Sequence, residues 1–252
     1  MVRLREPRPD HPVNKISAAG GAVNETTASG RPKNGRRTAN RKANEETILK
    51  AAETVFAEAG FGGATMQLIA DMAGLPKANL HYYFATKEAL YRAVVERIFR
   101  IWLAAANVMD DAAGPAEGIG AYIDAKLEIS RRHANGSKVW ASGVMHGAPV
   151  IQDYLETTLR DWTAGRAAVI RRWIAEGKMV EVNPEHLLYM LWAATQHYAD
   201  FGHQIEVLNG GPLSEEDWAA AKASVKEIIL RGIGVDPAPS RREPDPLNPP
   251  ET

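Results

Sequence analysis

The stretch "GFGGATMQLIADMAGLPKANLHYYFATKEALYRAVV", residues 60–95, decides the fold of the chain. Thr65 and Thr86 each stand at the start of a helical pattern, where a side-chain oxygen can cap the first turn. Gly60 and Gly74 stand where helices should end, because glycine readily adopts the left-handed conformation that closes a last turn. The pattern predicts two short helices, joined by "GLP", and a long helix after Thr86.

The residues around "GLP" have the spacing of a helix-turn-helix. Ala70 allows two helices to cross closely, Gly74 allows the turn, and Leu80 packs the second helix against the first. Pro76 is predicted at the first helical position, where its missing N–H group costs little. The second helix is then free to enter the major groove of DNA.

The leading turn of this second helix holds the side chains that we expect to reach base edges. Asn79 can pair with adenine, Ala78 can contact a thymine methyl group, and Lys77 lies beside them. A second interpretation treats the cluster as a helix-packing corner whose charges are incidental.

The whole stretch resembles the DNA-binding domain of the TetR family of bacterial transcriptional regulators. The matching pieces are "GF" with Thr65 at the entry, "IA" and "AG" around the turn, "YYF" at the end of the second helix, and "KEAL" after it. The chain departs from common family residues at Pro76, at Thr86 and at His81, and the change at His81 bears on sequence preference rather than on fold.

The resemblance implies that Tyr82 and Tyr83 lie against the DNA backbone and that Lys87 grips a phosphate at the start of the long helix. Tyrosine hydroxyls and ammonium groups make such positioning contacts, and a helix N-terminus favours phosphate. Phe84 is expected to lie in the core of the N-terminal domain. Thr65 and His81 complete the expected surface.

The chain is predicted to be all-α, with an N-terminal three-helix helix-turn-helix domain and a C-terminal helical domain for ligand binding and dimerisation. We expect a DNA-binding domain at residues 44–91 and an effector-binding and dimerisation domain at residues 92–235. Residues 236–252 are rich in proline and read as a disordered tail. Further helices are expected at about 116–133, 138–147, 150–176, 184–208 and 215–232, from caps and apolar spacing.

Residues 1–43 read as a disordered basic arm, because they carry ten Lys or Arg against three acids and show no periodicity. The rest of the chain is acidic, since the net charge of the whole is −1. Arg36 and Arg37 are the arm residues that we expect to contact DNA. The alternative is that the arm is only solvated.

The resemblance extends over about residues 45–233 to a subgroup, the Rut-type repressors of pyrimidine utilisation, and is closest in "WAATQHYADF". It implies a homodimer, a double-stranded operator as partner, no cofactor, and a small-molecule effector of the uracil or thymine type. Trp192 and Gln196, one turn apart, can cover a flat ring and read its edge. We expect the effector site to comprise these two residues with Trp102, Trp140, Met145, Thr195 and Tyr198. Trp192 and Gln196 could instead lie in the core or at a dimer interface, and other flat heterocycles would suit the same pair.

Other function classes find less support. His197, Asp200 and His203 are metal-ligand types, but their spacing lacks the i, i+4 pair of metal-binding helices. The chain has no nucleophile elbow and no glycine-rich phosphate loop, so we do not expect an enzyme. It contains no cysteine, no secretory signal and no apolar run near the roughly 18 residues that span a membrane, which fits a cytoplasmic protein. A ligand-independent DNA-packaging protein is the remaining alternative.

Overall fold

The structure is a computed structural model that describes residues 33–237, and every described element is helical. The chain divides into two units at Asn40, of which the first is described only over residues 33–40. The helices are α1 (Lys33–Gly63), α2 (Met66–Ala73), α3 (Lys77–Tyr83), α4 (Lys87–Ala106), α5 (Pro115–Arg132), α6 (Ala134–Met145), α7 (Gln152–Tyr154), α8 (Arg160–Ala175), α9 (Pro184–Asp200), α10 (Gly202–Asn209) and α11 (Glu215–Gly232). A 3₁₀ turn (Asn107–Met109) follows α4, and a π-helical turn (Leu155–Leu159) joins α7 to α8.

Two apolar cores hold the second unit together. The first gathers the N-terminal helices around buried residues such as Phe56, Ile69 and Leu80. The second lies between α5, α8, α9 and α11, around Trp173. The helix α4 contributes to both, with Leu90 to Trp102 in the first and Ala106 in the second. The predicted domain boundary at residue 91 therefore falls inside one continuous helix.

Local caps fix most helix ends where the sequence predicts them. Thr65 accepts a hydrogen bond from the Leu68 N–H group at 3.1 Å, and Thr86 accepts one from Ala89 at 3.1 Å. Ser214 and Asp217 form the reciprocal capping box at the start of α11. Gly60 interrupts α1 with a left-handed φ of 67°, in agreement with the predicted stop.

Several predicted boundaries are wrong. The first helix begins at Lys33, before the predicted start of the DNA-binding domain at residue 44, so residues 33–43 of the predicted arm are helical. Residues 1–32 of that arm and residues 238–252 of the predicted tail lie outside the described residues. Pro76 is the N-cap of α3 and not its first helical residue.

The predicted long helix 184–208 is two helices that meet at Phe201, which leaves helical geometry at ψ 26°. The Phe201 ring stacks on His197, with ring centroids 4.8 Å apart, and Gly202, a poor helix former, opens α10. None of the helices within residues 33–237 combines the length and the apolar character that crossing a membrane requires.

Candidate functional site

The turn between α2 and α3 has the geometry of a helix-turn-helix. Gly74 is left-handed, with φ 64° and ψ 29°, and its N–H group turns back on the carbonyls of Ala70 and Asp71. The Leu75 N–H group donates to the Ala70 carbonyl at 3.0 Å and completes the stop. Leu80 is fully buried against the first helix. The predicted arrangement of the two helices is confirmed.

The leading turn of α3 is open to solvent. Lys77, Ala78 and Asn79 are all exposed, while the next residue, Leu80, is buried. Within residues 33–237 the side chains of Lys77 and Asn79 make no hydrogen bond or ion pair, so both keep their full bonding capacity for a partner. The structure thus brings together the three residues that the sequence predicts as base readers.

Aromatic side chains continue this exposed surface. Tyr82 is 72% exposed and meets the half-buried Tyr83 edge to face, with ring centroids 5.3 Å apart. His81 is exposed, and its Nδ1 atom lies 3.2 Å from the Ala85 carbonyl oxygen. The guanidinium of Arg41 lies over the Tyr82 ring at 6.0 Å, which adds a cation that sequence reasoning had placed in the arm. The side chains of the two predicted arm contacts, Arg36 and Arg37, lie outside the described residues.

Lys87 has an internal role that the sequence did not suggest. Its ammonium group donates to the carbonyl oxygens of Phe61 at 2.7 Å and Ala64 at 3.1 Å, and it lies 4.4 Å from the Phe61 ring centroid. These bonds tie the start of α4 to the last turn of α1 and to Ala64, which follows it. An ammonium group has three donors, so one remains for a phosphate. The phosphate contact stays a prediction.

A cavity of about 300 Å³ lies between α4, α5, α6, α8 and α9. Four of the predicted effector residues line it: Trp102, Trp140, Trp192 and Gln196. Trp102 and Trp140 meet edge to face with centroids 5.6 Å apart, and they form an aromatic wall. The amide of Gln196 makes no hydrogen bond within residues 33–237, so it is free to read a ligand.

The other three predicted effector residues do not line the cavity. Met145 ends α6 and is 75% exposed. Thr195 is fully buried, and its hydroxyl donates to the Leu191 carbonyl at 2.7 Å. Tyr198 packs on Trp218, with ring centroids 5.7 Å apart. Successive helical residues are about 100° apart, so neighbours of Gln196 in sequence point elsewhere.

Lys126, which the sequence analysis did not single out, places a cation in the cavity wall. It is 2% exposed, and its Nζ atom lies 4.4 Å from the centroid of the Trp102 ring. Burial lowers the pKa of Lys126 to about 7, and the nearby Asp200 carboxyl opposes that effect. No acceptor within residues 33–237 forms a hydrogen bond with its ammonium group.

The hydroxyl of Tyr122 is a further donor at the same space. The indole of Trp192 donates to the Tyr122 hydroxyl at 3.1 Å, and in the described part of the chain that hydroxyl has no acceptor for its own hydrogen. Burial raises the pKa of Tyr122, so it is a neutral donor at any physiological pH. The cavity therefore offers mainly hydrogen-bond donors.

Two of the three candidate metal ligands, His197 and Asp200, make other contacts in the structure. Asp200 accepts a hydrogen bond from the Ser137 hydroxyl at 2.6 Å, and His197 stacks on Phe201. Among residues 33–237 no cluster of three or more His, Asp or Glu side chains could hold a metal ion.

Comparisons with known proteins match both parts of the chain. Residues 48–94 match the family model described as bacterial regulatory proteins, tetR family, and residues 95–236 match that of the YcdC-like protein C-terminal region. The HTH-type transcriptional regulator RutR of Escherichia coli (strain K12) is 38% identical over 200 residues, which cover 79% of this chain and 94% of that protein. The repressor KstR2 of Mycolicibacterium smegmatis is 26% identical, over 75% and 89% of the two chains.

Solved structures share the fold. The ketosteroid regulator KstR2 of Mycobacterium tuberculosis superimposes with a TM-score of 0.59 at 21% identity, over 75% of this chain and 94% of that one. The TetR family regulator PfmR of Thermus thermophilus gives a TM-score of 0.58 at 21% identity, over 73% and 97% of the two chains.

Proposed function

The chain belongs to the TetR family of bacterial regulatory proteins, and from this premise we propose that it is a repressor that binds a pseudo-palindromic operator as a homodimer. A small planar effector, uracil or thymine, releases it from DNA. The observation that carries the effector half is the free amide of Gln196 in a tryptophan-walled cavity.

The DNA half of the proposal rests on the exposed leading turn of α3. Lys77, Ala78 and Asn79 present a cation, a methyl group and an amide at the end of a helix that is anchored through Leu80. Such side chains read bases when the helix lies in the major groove. The two-fold symmetry of a homodimer requires half-sites separated by about 34–36 Å along the duplex.

Exposed apolar side chains on α9, α10 and α11 support the homodimer. Tyr189 and Met190 are 52% and 61% exposed, Leu208 is 79% exposed, and Ile228 is 72% exposed. We propose that these helices pair across the two-fold axis, since such side chains lose unfavourable contact with water when a second copy covers them. Sedimentation of the purified protein measures the oligomeric state directly.

The effector half rests on chemistry as well as on resemblance. The edge of a pyrimidinedione alternates carbonyl acceptors with an N–H donor, and Gln196 can match one of each. The faces of the ring can lie against indole surfaces. Regulators of pyrimidine utilisation are the subgroup that the sequence resembles, which favours uracil or thymine over other flat rings.

The test is the substitution Gln196→Leu, which roughly keeps side-chain volume. The variant should still bind the operator but should lose binding of uracil and thymine, because each unpaired group on the buried ring edge costs about 1–3 kcal/mol. Calorimetry measures binding, and operator release measures the response.

Gln152→Leu, the same change at an exposed position whose amide donates to Glu156, is the matched control. Wild-type uracil affinity in Gln196→Leu would remove this residue from the site. If no pyrimidine binds the wild type while another planar aromatic compound does, the effector assignment is wrong and the DNA-binding proposal stands.

A further inference from the structure

Lys126 stands out because a buried lysine usually has an acceptor for its ammonium group. The residue lies on α5, where the Trp102 ring of α4 covers its Nζ atom at 4.4 Å. Lys126 also lies near the carboxyl group of Asp200, which ends α9. That carboxyl group accepts a hydrogen bond from the Ser137 hydroxyl of α6. His197 and Lys138 are the other charged or titratable groups around Asp200.

The two acidic residues that flank Lys126 on α5 are paired with lysines of α11. Asp124 pairs with Lys226 at 2.9 Å and Glu128 pairs with Lys222 at 2.8 Å, and both pairs join α5 to α11. Lys126 takes no part in these pairs. Its ammonium group therefore lies at the cavity and not among the ion pairs that join α5 to α11.

The hydrogen-bond inventory of the cavity lacks acceptors. Lys126 and the Tyr122 hydroxyl are donors without acceptors in the described part of the chain, while Gln196 supplies an acceptor and two donors. Unpaired buried donors favour a ligand that brings acceptor oxygens. A ring with two carbonyl groups fits this inventory better than a ring in which an amino group replaces one of them.

Resting on the proposed pyrimidine effector, we propose that Lys126 binds a ring carbonyl oxygen in its ammonium form, so that effector binding takes up a proton from solvent and the response of the regulator falls as pH rises. The same contact makes Lys126 the residue that selects uracil over cytosine. In cytosine an amino group replaces one ring carbonyl, and its N–H donors would face the N–H donors of the ammonium group.

The direction of the pH effect follows from the two states of the lysine. In the free protein the pKa of Lys126 is lowered to about 7. A carbonyl oxygen bonded to the ammonium group favours the charged form and raises that pKa. Below pH 7 the proton is already present and the affinity is highest. Above pH 7 the proton must be taken up on binding, and the affinity falls by up to about tenfold per pH unit until the pKa of the complex is reached.

The experiment is calorimetry of uracil with the purified wild-type protein at about pH 6, 7.5 and 8.5, each in two buffers with different enthalpies of ionisation. The binding heat of the wild type should differ between buffers at about pH 7.5, by the amount that uptake of a fraction of a proton predicts. Uracil affinity should fall about tenfold or more between about pH 6 and 8.5. Cytosine should bind at least about tenfold more weakly than uracil at the lowest pH, a difference of one carbonyl contact.

Two variants separate the lysine from other titrating groups. Lys126→Met should bind uracil at least about tenfold more weakly, with no dependence on pH or buffer, and should lose most of the preference over cytosine. Lys126→Arg keeps the charge at every tested pH, so any uracil binding that it retains should not vary with pH. Circular dichroism shows whether each variant is folded.

The outcomes are distinct. Uracil binding whose affinity and heat are independent of pH and buffer, with Lys126→Met binding as tightly as wild type, overturns this inference and leaves the proposed function intact. Failure of uracil and thymine to bind the wild type at any pH overturns this inference together with the effector half of the proposed function, and leaves the DNA-binding half standing. A pH dependence that persists unchanged in Lys126→Met assigns the proton to another group and also overturns the inference.

Discussion

Replacing Lys126 by methionine should make the protein more stable, although the change removes a charged residue from the wall of the proposed effector cavity. Methionine has a similar length and fills the same space beside Trp102 without an ammonium group to desolvate. The prediction concerns the free energy of unfolding in the absence of any ligand.

The magnitude follows from the pKa of the lysine. Burial lowers it from 10.5 to about 7 in the folded protein, and each pKa unit corresponds to about 1.4 kcal/mol. Below pH 7 the lysine is charged in both states, so the folded protein bears the whole cost of the buried charge, about 3–5 kcal/mol. Between pH 7 and 10.5 only the unfolded chain holds the proton, so wild-type stability gains up to about 1.4 kcal/mol per pH unit from this group.

Urea unfolding of wild type and Lys126→Met at about pH 6 and pH 9 measures both the sign and the trend. The variant should be more stable at pH 6, and its advantage should shrink by about 2–3 kcal/mol at pH 9. The control is Lys222→Met, which removes a partly exposed partner of Glu128 and should cost at most about 1 kcal/mol at either pH. A variant that is less stable than wild type at pH 6, or whose advantage is the same at both pH values, would refute the view that Lys126 is a desolvated cation.

Three further predictions concern DNA binding and its control. Asn79→Ala should relax specificity at one base pair by about 1–3 kcal/mol while random DNA binds as before, measured by titration of operator variants. Lys87→Ala should lower the thermal midpoint of unfolding, because the carbonyls of Phe61 and Ala64 lose their donor at about 1 kcal/mol each. It should also weaken binding to all DNA sequences alike. An unchanged salt dependence of DNA binding would show that no phosphate contact was lost. Tyr91→Phe removes the 3.0 Å hydrogen bond from the Tyr91 hydroxyl to the Val139 carbonyl and should reduce the effect of the effector on operator affinity, measured as the ratio of the two affinities.

The helix-turn-helix was predictable because its determinants are local. Thr65 caps the second helix within one turn, and Gly74 ends it through its own φ angle. Neither residue needs the rest of the fold to act. The early start of α1 was missed for the opposite reason, since Lys33 offers no cap and the basic composition up to Ala43 favours disorder.

The cavity was only partly predictable, because a pocket depends on which helices pack together. Trp192 and Gln196 are four residues apart on α9 and so share a face, which the sequence reveals. Thr195 and Tyr198 lie on other faces of the same helix, and only the packing shows that they point away. The position of Met145 depends on where α6 ends.

Lys126 was missed although the sequence carried a signal. It falls in helical register with Ile119, Tyr122 and Ile123, which form the buried side of α5. A lysine within an apolar stripe indicates either an error in the assigned register or a functional group. The burial itself depends on α4 and α9, which no local pattern describes.

The contacts of Tyr91 give the cavity a physical route to the DNA-binding helices. Its hydroxyl binds the carbonyl of Val139, which precedes the cavity residue Trp140 on α6, and its ring meets Phe61 edge to face with centroids 5.1 Å apart. A side chain at Gly143 would place its Cβ atom 2.4 Å from that hydroxyl, so α6 and α4 are in close contact there. A ligand that shifts α6 must therefore either move Tyr91, and with it the Phe61 segment that leads into α2, or break the hydrogen bond. A coupling of about 1–3 kcal/mol through this contact would alter operator affinity about 5- to 150-fold.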